Sequence, residues 1–393
     1  MTHIVRALVA FVPAILVLAG CAGLPPTPPP LSCAACPAPA RPAEAKYAQT
    51  PYAAIPGWAN APLAPGLRAF AAGCARLAAA TALRRTCDAA HALPADDEAA
   101  ARAFVEASFD AWALVNADGS TEGMVTGYYE PVLAGSRTRS ARFRYPVYGV
   151  PADLVAVDLE SVLSELKGLR LRGRLEGARV VPYLTRAEIE SQGQFGAPVL
   201  AWVEDPVELF FLQIQGSGQI ELGSGARLRL GYGDHNGHPY ASIGRYLMQR
   251  GELALEQTSM QGIKAWAAAN PRKLREALNA NPSYVFFRET APGDGPLGTL
   301  GAPLSAGYSL AIDPRSVPLG APVFLATTMP LSPQPLRRLM AAQDTGGAIR
   351  GAVRADFYWG TGNEAGALAG RMRQRGRMWV LWPRGEGPPR WGG

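Results

Sequence analysis

The spacing of apolar residues changes along the chain, and it predicts helices before about residue 115 and mainly strands after it. Between residues 67 and 93 the apolar positions recur every three or four residues, which is the helical period. Pro94 interrupts that pattern, and the acidic residues 96–98 begin a second predicted helix, because acidic side chains are favourable in a first helical turn. The buried faces of the two helices are expected to contain Leu67, Phe70, Cys74 and Leu77, and Val105, Phe109 and Trp112.

After Gly123, short apolar runs alternate with Gly, Pro, Asn and Asp, and this pattern predicts strands and turns. Helices return only at residues 240–250, at 260–278, where Asn270 and Pro271 divide the pattern, and at 363–373. Many short strands with irregular turns favour barrels over a doubly wound sheet, so the predicted fold class is mainly β with some helix. The predicted strands are residues 124–133, 145–150, 209–215, 219–222, 226–232, 284–288, 306–313, 322–327, 336–344 and 378–382.

The N-terminal residues have the pattern of an export signal. One cation, Arg6, precedes the apolar run 7–20. That run is shorter than the roughly 20 residues of a membrane-spanning helix and fits a secretory signal peptide. The tetrapeptide 18–21 resembles the lipobox of bacterial lipoproteins, which implies lipidation of Cys21 and, because Ala22 follows it, sorting to the outer membrane. The alternative is an ordinary signal peptide with a cysteine at its cleavage site.

The cysteines fit an exported protein. Lipidation of Cys21 would leave four of the five cysteines, and Cys74 and Cys87 lie in the predicted helical region as candidates for a disulfide. Residues 22–51 are rich in Pro and Ala, which favours an extended tether rather than a folded core. The remaining pair, Cys33 and Cys36, lies in this tether without the strand and helix of a redox motif or the second ligand pair of a zinc site.

Size and charge exclude some classes of protein. The 393-residue chain is long enough for one large domain or two ordinary ones after the tether. Its net charge of +6 is spread along the sequence, without the basic stripe that nucleic-acid binding requires. A mild positive balance suits an anionic polymer or lipid surface. His235 and His238 share a Gly-rich loop but lack a third ligand, so neither a metal nor a cofactor is expected.

Three aspartates in the C-terminal third form the strongest candidate site. Asp313, Asp344 and Asp356 each adjoin an apolar run and a turn, with Gly or aromatic neighbours. Charged groups rarely lie in apolar runs unless they are paired or functional. One such aspartate alone is more often a turn cap, but three together indicate a site at the edge of a sheet or barrel.

The chain resembles the membrane-bound lytic murein transglycosylase A family, including its C-terminal three-aspartate domain. The three aspartate segments match that domain, and upstream segments match the family's other motifs in the same order, over residues 52–383. The tether with Cys33 and Cys36 lies outside the resemblance. The upstream segments are Thr-Gly-Tyr-Tyr-Glu-Pro at 126–131, Leu-Gln-Ile-Gln-Gly-Ser-Gly at 212–218, the Gly- and His-containing segment 231–240 and Asn-Pro-Ser-Tyr-Val-Phe-Phe at 281–287.

The resemblance implies two β domains with a groove between them. One is a double-psi β-barrel built from both ends of the chain, and the other is a smaller β-barrel inserted into it. The implied boundaries are a signal peptide at 1–20, a lipid-anchored linker at 21–51, the catalytic barrel at 52–131 and 243–386 with the three-aspartate region at 284–383, and the inserted domain at 132–242.

The activity that the resemblance implies is cleavage of the β-1,4 bond between N-acetylmuramic acid and N-acetylglucosamine in peptidoglycan, ending in a 1,6-anhydro sugar. The expected partners are glycan strands, the outer-membrane lipid at Cys21 and other cell-wall enzymes, with the chain itself a monomer. Two alternatives remain open: a peptidoglycan hydrolase that adds water, and an envelope lipoprotein that binds glycan without cleaving it.

This chemistry needs a single acid where ordinary glycosidases use two carboxylates, because the substrate's own C6 hydroxyl is the nucleophile. By motif position, Asp356 matches the family's acid/base, and its pKa must be raised for it to start protonated. Asp344 matches the neighbouring aspartate, which orients Asp356 or raises its pKa. Asp313 is a supporting residue or a purely structural one.

Several further side chains are candidates for sugar contacts, because aromatic rings stack on sugars and amides or hydroxyls bond to their polar groups. Strand alternation favours a core position for Tyr128 or Tyr129. The segment 215–218 is expected to be a hairpin turn that lines the groove, rather than a phosphate loop, because no helix follows it. The candidates are Thr126, Tyr128, Glu130, Gln213, Gln215 and Ser217.

Overall fold

The computed structural model describes residues 46–389, except for residues 80, 95, 164–165, 167–170, 194, 224 and 292–294. The predictions for Cys21, Cys33 and Cys36 therefore lie outside the described residues. Within the described part of the chain, no helix is both long enough and apolar enough to cross a bilayer.

The helices begin where the sequence offers side-chain caps. Thr81, Asp97, Thr185, Asp205, Ser242 and Ser259 precede six of them, and each accepts a hydrogen bond from a backbone N–H of the first turn. The helices are α1 (Ala64–Ala71), α2 (Ala82–His91), α3 (Glu98–Ser108), α4 (Arg186–Gln192), α5 (Pro206–Gln215), α6 (Ile243–Gln249), α7 (Met260–Ala269), α8 (Leu274–Asn279) and α9 (Asn363–Ala369).

Strands contain more residues than helices in the described part of the chain. They are β1 (Lys46–Gln49), β2 (Phe109–Val115), β3 (Gly123–Glu130), β4 (Val132–Ser136), β5 (Tyr145–Tyr148), β6 (Val155–Val157), β7 (Leu171–Glu176), β8 (Arg179–Pro182), β9 (Val199–Val203), β10 (Gly218–Leu222), β11 (Arg227–His235), β12 (Val285–Glu289), β13 (Ser309–Ile312), β14 (Pro322–Thr328), β15 (Pro335–Thr345), β16 (Arg354–Thr361) and β17 (Arg373–Pro383).

The first sheet closes on itself. Its strands run in the order β1, β2, β17, β14, β15, β13, β16, β3, and β3 also pairs with β17. The six strands from β17 to β3 therefore form a closed ring, which leaves β1 and β2 as an extension. Two pairs in the ring, β13 with β15 and β3 with β16, are parallel, and the other pairs are antiparallel. Val125, Leu310, Ile312, Ala355 and Phe357 belong to the buried core of this barrel.

A second sheet has the order β12, β11, β10, β4, β9, β5, and a small third sheet contains β6, β7 and β8. The six-stranded sheet has its own apolar core, which includes Leu133, Val203 and Ile220. Its strand β4 begins two residues after β3 ends, so Pro131 joins the two large sheets directly. The domain boundaries derived from the family resemblance stay a prediction.

The predicted fold class, mainly β with some helix and with barrel-like sheets, is confirmed. The predicted division of residues 260–278 is also present, as α7 and α8. Two predicted elements are wrong. Residues 209–215 form part of α5 rather than a strand, because Asp205 caps a helix there and the apolar run is buried on several faces, where periodicity cannot separate helix from strand. Residues 109–115 form β2 rather than helix, with alternating burial.

Candidate functional site

Asp344 and Asp356 lie on the same face of the barrel. Strand β13 runs between their strands, and Ala311 is paired with Asp344 on one side and with Asp356 on the other. Residues directly opposite each other point to the same face of a sheet, and strands about 4.8 Å apart put the two aspartate Cα atoms about 10 Å from each other. Ala311 is flanked by core residues, so this row faces outward. Only a methyl group separates the two carboxylates within the row.

A β-bulge puts Asp344 on that face. Leu310 is paired with Ala342, whereas the next residue, Ala311, is paired with Asp344, so Gln343 is an extra residue in β15. Ala342 belongs to the core, and in a regular register Gln343 would pair with Ala311 and Asp344 with the core residue Ile312, which would point Asp344 into the core as well. Gln343 is buried, and its amide donates to the Ala69 carbonyl of α1 at 2.7 Å and accepts from the Ser309 hydroxyl at 2.5 Å.

Asp356 is partly accessible as a residue, and its carboxyl has two polar neighbours. The Thr126 hydroxyl, on the adjacent strand β3, donates to its Oδ1 at 2.6 Å, and the Arg354 guanidinium donates to that hydroxyl at 2.9 Å. Burial raises the pKa of Asp356 to about 6, with a further upward contribution from the Asp344 charge, although Thr126 and Arg354 act to lower it. A carboxyl with this pKa can give and take a proton near neutral pH.

The carboxylate of Asp344 is held by donors on both oxygens. Its Oδ1 accepts the backbone N–H and the hydroxyl of Thr299, each at 2.9 Å, and the backbone N–H of Thr345 at 2.9 Å. Its Oδ2 accepts the Tyr128 hydroxyl at 3.1 Å. Burial raises the pKa of Asp344 above the ordinary value even though all these donors act to lower it. Asp344 is therefore a rigidly oriented group beside Asp356.

Asp313 has a different environment. It is buried directly after β13, and burial acts to raise its pKa, but the paired Arg315 guanidinium and the Gly351 N–H hold that pKa below the ordinary value. Arg315 donates to both carboxylate oxygens, at 3.0 and 2.7 Å, and Gly351 donates at 2.8 Å. Its hydrogen-bonding oxygens are thus occupied by a turn and by the loop that leads to β16.

The residues predicted to contact sugar fall into two groups. Thr126 and Tyr128 lie beside the aspartate pair, and Gln215 accepts the Tyr129 N–H at 3.1 Å, which ties the end of α5 to β3. Glu130 is fully buried and accepts hydrogen bonds from Gln219 and Thr361, each at 2.8 Å. The structure therefore does not bring Glu130 to the accessible face.

Gln213 is also buried, on the inner side of α5. Ser217 is partly accessible in the turn that leads to β10. That turn follows a helix, so the hairpin prediction for residues 215–218 is wrong: Gly216 ends α5 with a φ of 77°, a left-handed conformation that suits glycine. Strand alternation predicted a core position for Tyr128 or Tyr129; Tyr129 is the buried one, and Tyr128 is partly accessible.

Several residues of the site were not among the sequence predictions. Arg354 precedes Asp356 by two residues, which in a strand means the same face, so the period of two was an available signal. Thr299 comes from a loop 45 positions before Asp344, and no local pattern indicates it. Ala311 was part of a predicted strand, but its place between two carboxylates depends on the long-range pairing of strands.

Cys74 and Cys87 form a disulfide with 5.4 Å between their Cα atoms, linking the turn after α1 to α2. Across the described residues, no three metal-ligating side chains are grouped as they are in metal sites. The imidazole of His235 accepts the Gly237 N–H at 2.8 Å, and Nε2 of His238 lies 2.7 Å from the Tyr183 carbonyl oxygen.

The fold and the site together define a class of protein: a closed β-barrel that carries a pair of partly accessible aspartates on one outer face. The profile described as the MltA specific insert domain matches residues 124–288, and that of the 3D domain matches residues 308–382. The chain belongs to the membrane-bound lytic murein transglycosylase A family, and it is a lytic transglycosylase.

Individual relatives agree with this membership. The membrane-bound lytic murein transglycosylase A of Escherichia coli K12 is 36% identical over 283 residues, which are 69% of each chain. The crystal structure of MltA from Neisseria gonorrhoeae is 43% identical and covers 90% of this chain and 100% of its own, with a TM-score of 0.79. The E. coli MltA structure with bound chitohexaose is 29% identical and covers 87% of this chain and 95% of its own, with a TM-score of 0.63.

Proposed function

We propose that this chain cleaves the β-1,4 bond between N-acetylmuramic acid and N-acetylglucosamine in peptidoglycan and leaves a 1,6-anhydromuramic acid end. The observation that carries the proposal is Asp356, a partly accessible residue on the outer face of the barrel whose carboxyl has a pKa of about 6, well above that of an ordinary aspartate. Its neighbour Asp344 shares the same outward row, one strand away across Ala311. The glycan bound to the E. coli relative supports a saccharide substrate.

The reaction uses Asp356 twice. Protonated Asp356 gives its proton to the glycosidic oxygen as the bond from C1 breaks, so the N-acetylglucosamine side leaves with a free hydroxyl. The C6 hydroxyl of the muramic acid residue then attacks C1, and its proton goes to the Asp356 carboxylate. One C–O bond forms for the one that breaks, no water is consumed, and Asp356 ends the cycle protonated.

The neighbours of Asp356 have separate parts in this cycle. The Thr126 hydroxyl orients the carboxyl at 2.6 Å and stabilises its charged form between the two steps. The Asp344 charge acts in the other direction, since it raises the pKa of Asp356 and so favours the protonated form at the start. Asp313 supports the site from a distance by fixing the loop that precedes β16.

Sugar contacts are proposed for the predicted residues on the accessible side. Thr126, Tyr128, Gln215 and Ser217 are partly accessible, and their hydroxyl and amide groups suit sugar hydroxyls and N-acetyl groups. Glu130 and Gln213 are buried, so their proposed part is to hold β3 and α5 in position beneath these contacts. The proposed groove is the space between the barrel and the six-stranded sheet, with residues 52–131 and 243–386 on one side and the insertion 132–242 on the other.

Product mass is the direct test. The purified protein should release muropeptides from isolated sacculi whose glycan ends are lighter than hydrolytic reducing ends by one water. Asp356→Asn should abolish the release of muropeptides. Asp313→Asn is the matched control, because it changes an aspartate outside the proposed acid/base pair, and the folded variant should retain activity. Reducing ends instead of anhydro ends would favour the hydrolase, and binding to sacculi without release would favour the non-catalytic lipoprotein.

We also propose that Cys21 carries a lipid that anchors the chain on the periplasmic face of the outer membrane. The support is the lipobox-like tetrapeptide 18–21 and the Pro-rich residues that follow it. The predicted tether 22–51 is shortened at its end, because Lys46–Gln49 form β1 and pair with β2, so residues 22–45, at up to about 3.1 Å each, would set the reach toward the wall. Cys21→Ser should move the protein from the membrane fraction to the soluble periplasm without loss of activity on isolated sacculi. A substituted protein that stayed in the membrane fraction would rule the anchor out.

A further inference from the structure

We propose that three arginines beside Asp356, here called the arginine strip (Arg354, Arg373 and Arg375), bind carboxylates of the peptide that the muramic acid residue carries. The strip would make the enzyme prefer peptide-bearing glycan over the same glycan without peptides. The inference rests on the proposed function, because it needs the scissile bond to lie at Asp356.

The pairing of strands puts the strip on the catalytic face. Thr126 is paired with Asp356 on one side and with Arg373 of β17 on the other, so these three residues form one outward row. With strands about 4.8 Å apart, the Cα atoms of Arg373 and Asp356 are about 10 Å from each other. Two residues along, Met124 is paired in the same way with Arg354 and Arg375. The strip therefore adjoins the acid/base group on one continuous face.

The arginines differ in how far protein groups already satisfy them. Arg354 is partly buried and is engaged with the Thr126 hydroxyl at 2.9 Å and the Met124 carbonyl at 3.4 Å. Arg375 is exposed and pairs with Glu122 at 3.5 Å, a contact between exposed charges that contributes little. Arg373 is exposed, and among the described residues no carboxylate lies within ion-pair distance of it. Arg373 is thus the principal cation available to a ligand.

The reach of a stem peptide matches this geometry. The peptide is attached through the lactyl group of the muramic acid residue, which is one of the two sugars at the scissile bond. An extended peptide advances about 3.3–3.6 Å per residue, so carboxylates of its second or third residue lie about 7–10 Å from the attachment point. Arg373, about 10 Å from Asp356, is within that range. Guanidinium groups bind carboxylates through paired, charge-assisted hydrogen bonds.

Met124 adds an apolar surface between the charged groups. Its side chain is 42% exposed and lies between Arg354 and Arg375 in the second row. Glycan without peptide keeps only the lactyl carboxylate, which lies at the sugar itself, whereas a peptide adds carboxylates farther from the sugar and small apolar side chains. The phosphate of an anionic lipid headgroup would also suit guanidinium groups, but the strip's continuity with the row of Asp356 favours a group attached to the substrate.

The test compares muropeptide oligosaccharides with the same oligosaccharides after an amidase has removed their peptides and left the lactyl carboxylates. The measured quantity is the ratio of kcat/KM for the two substrates. Arg373→Glu should lower that ratio about tenfold or more, chiefly through KM, because a charge-assisted contact is lost and a repulsive one is introduced. Arg373→Lys should lower it less. Arg179→Glu, at an exposed arginine on β8 in the third sheet, is the matched control and should keep the wild-type ratio.

The outcomes separate this inference from the proposed function. A ratio that stays at the wild-type value in Arg373→Glu would overturn the inference, as would an equal loss on both substrates. Binding to vesicles of anionic phospholipid that depends on Arg373, with no change in the ratio, would assign the strip to a membrane surface and overturn it too. Absence of anhydro ends from either substrate with the wild-type protein would instead refute the proposed function.

Discussion

Replacing Thr126 by Val should move the pH dependence of cleavage upward by about one unit. The Thr126 hydroxyl donates to Asp356 at 2.6 Å and is the main group that lowers the pKa of that carboxyl. Valine has a similar shape and suits a strand but donates nothing. Removal of the donor therefore penalises the charged form of Asp356 and leaves the protonated form unaffected.

The magnitude follows from the strength of the bond. A hydrogen bond to an ionised group contributes about 1.5 kcal/mol at the low end of its range, and about 1.4 kcal/mol corresponds to one pKa unit. The pKa of Asp356 should rise from about 6 to about 7. At pH 7 the protonated fraction would then increase from about one tenth to about one half. Since the first step needs protonated Asp356, activity in the wild type should fall as pH rises through 6, and in Thr126→Val as it rises through 7.

The assay is kcat/KM for anhydro-end formation on isolated glycan strands, measured between about pH 4.5 and 9, where a general acid gives a falling limb at its pKa. Thr126→Ser keeps the hydroxyl and should keep the wild-type limb, which separates loss of the donor from a change in shape. A falling limb in Thr126→Val that stays at the wild-type position, or moves to lower pH, would refute the role assigned to this hydrogen bond.

Three further predictions concern stability and shape. The pKa of Asp356 is raised in the folded state, so the ionisation of Asp356 opposes folding. Asp356→Asn should therefore raise the free energy of unfolding by about 2–3 kcal/mol at pH 8 and by almost nothing at pH 3, which is below both the folded and the unfolded pKa of this carboxyl. Equal differences at the two pH values in urea unfolding would contradict this. Replacing Cys74 and Cys87 together by Ala should lower the free energy of unfolding by about 3 kcal/mol, given the short loop that they close, and a loss below about 0.5 kcal/mol in the same assay would be inconsistent with this. Ala311→Leu should reduce kcat at least about tenfold, because the larger side chain fills the space between the two carboxylates, while the circular dichroism spectrum should stay native. Ala311→Ser is the control, and near-normal turnover of Ala311→Leu would contradict the geometry.

The sequence was sufficient for what depends on local pattern. The alternation of short apolar runs predicted a mainly β fold, and the flanking turns singled out Asp344 and Asp356 as unusual. Local pattern was insufficient where burial is complete, as in α5, because an apolar run buried on several faces has no clear period. The start signals of that helix, Asp205 and Pro206, were present in the sequence and could have decided between helix and strand.

The arrangement of the site depends on contacts between distant parts of the chain. Asp344 and Asp356 become neighbours because β13 pairs with both of their strands, and no local period predicts that order. Thr126 meets Asp356 across a sequence distance of 230 residues. For Glu130 the motif predicted a sugar contact that the fold does not allow, because its side chain is enclosed between β3, β10 and β16.

The extra residue at Gln343 makes the register of β15 as decisive as the identity of its residues. A regular register at this point would pair Gln343 with Ala311 and Asp344 with Ile312, which would leave the sequence unchanged and yet turn Asp344 from the outer face toward the apolar interior. The barrel would then have to bury a carboxylate, at a cost of several kcal/mol. The two hydrogen bonds that hold the buried Gln343 side chain, to the Ala69 carbonyl and from the Ser309 hydroxyl, therefore bear on the position of Asp344 although neither touches its carboxylate.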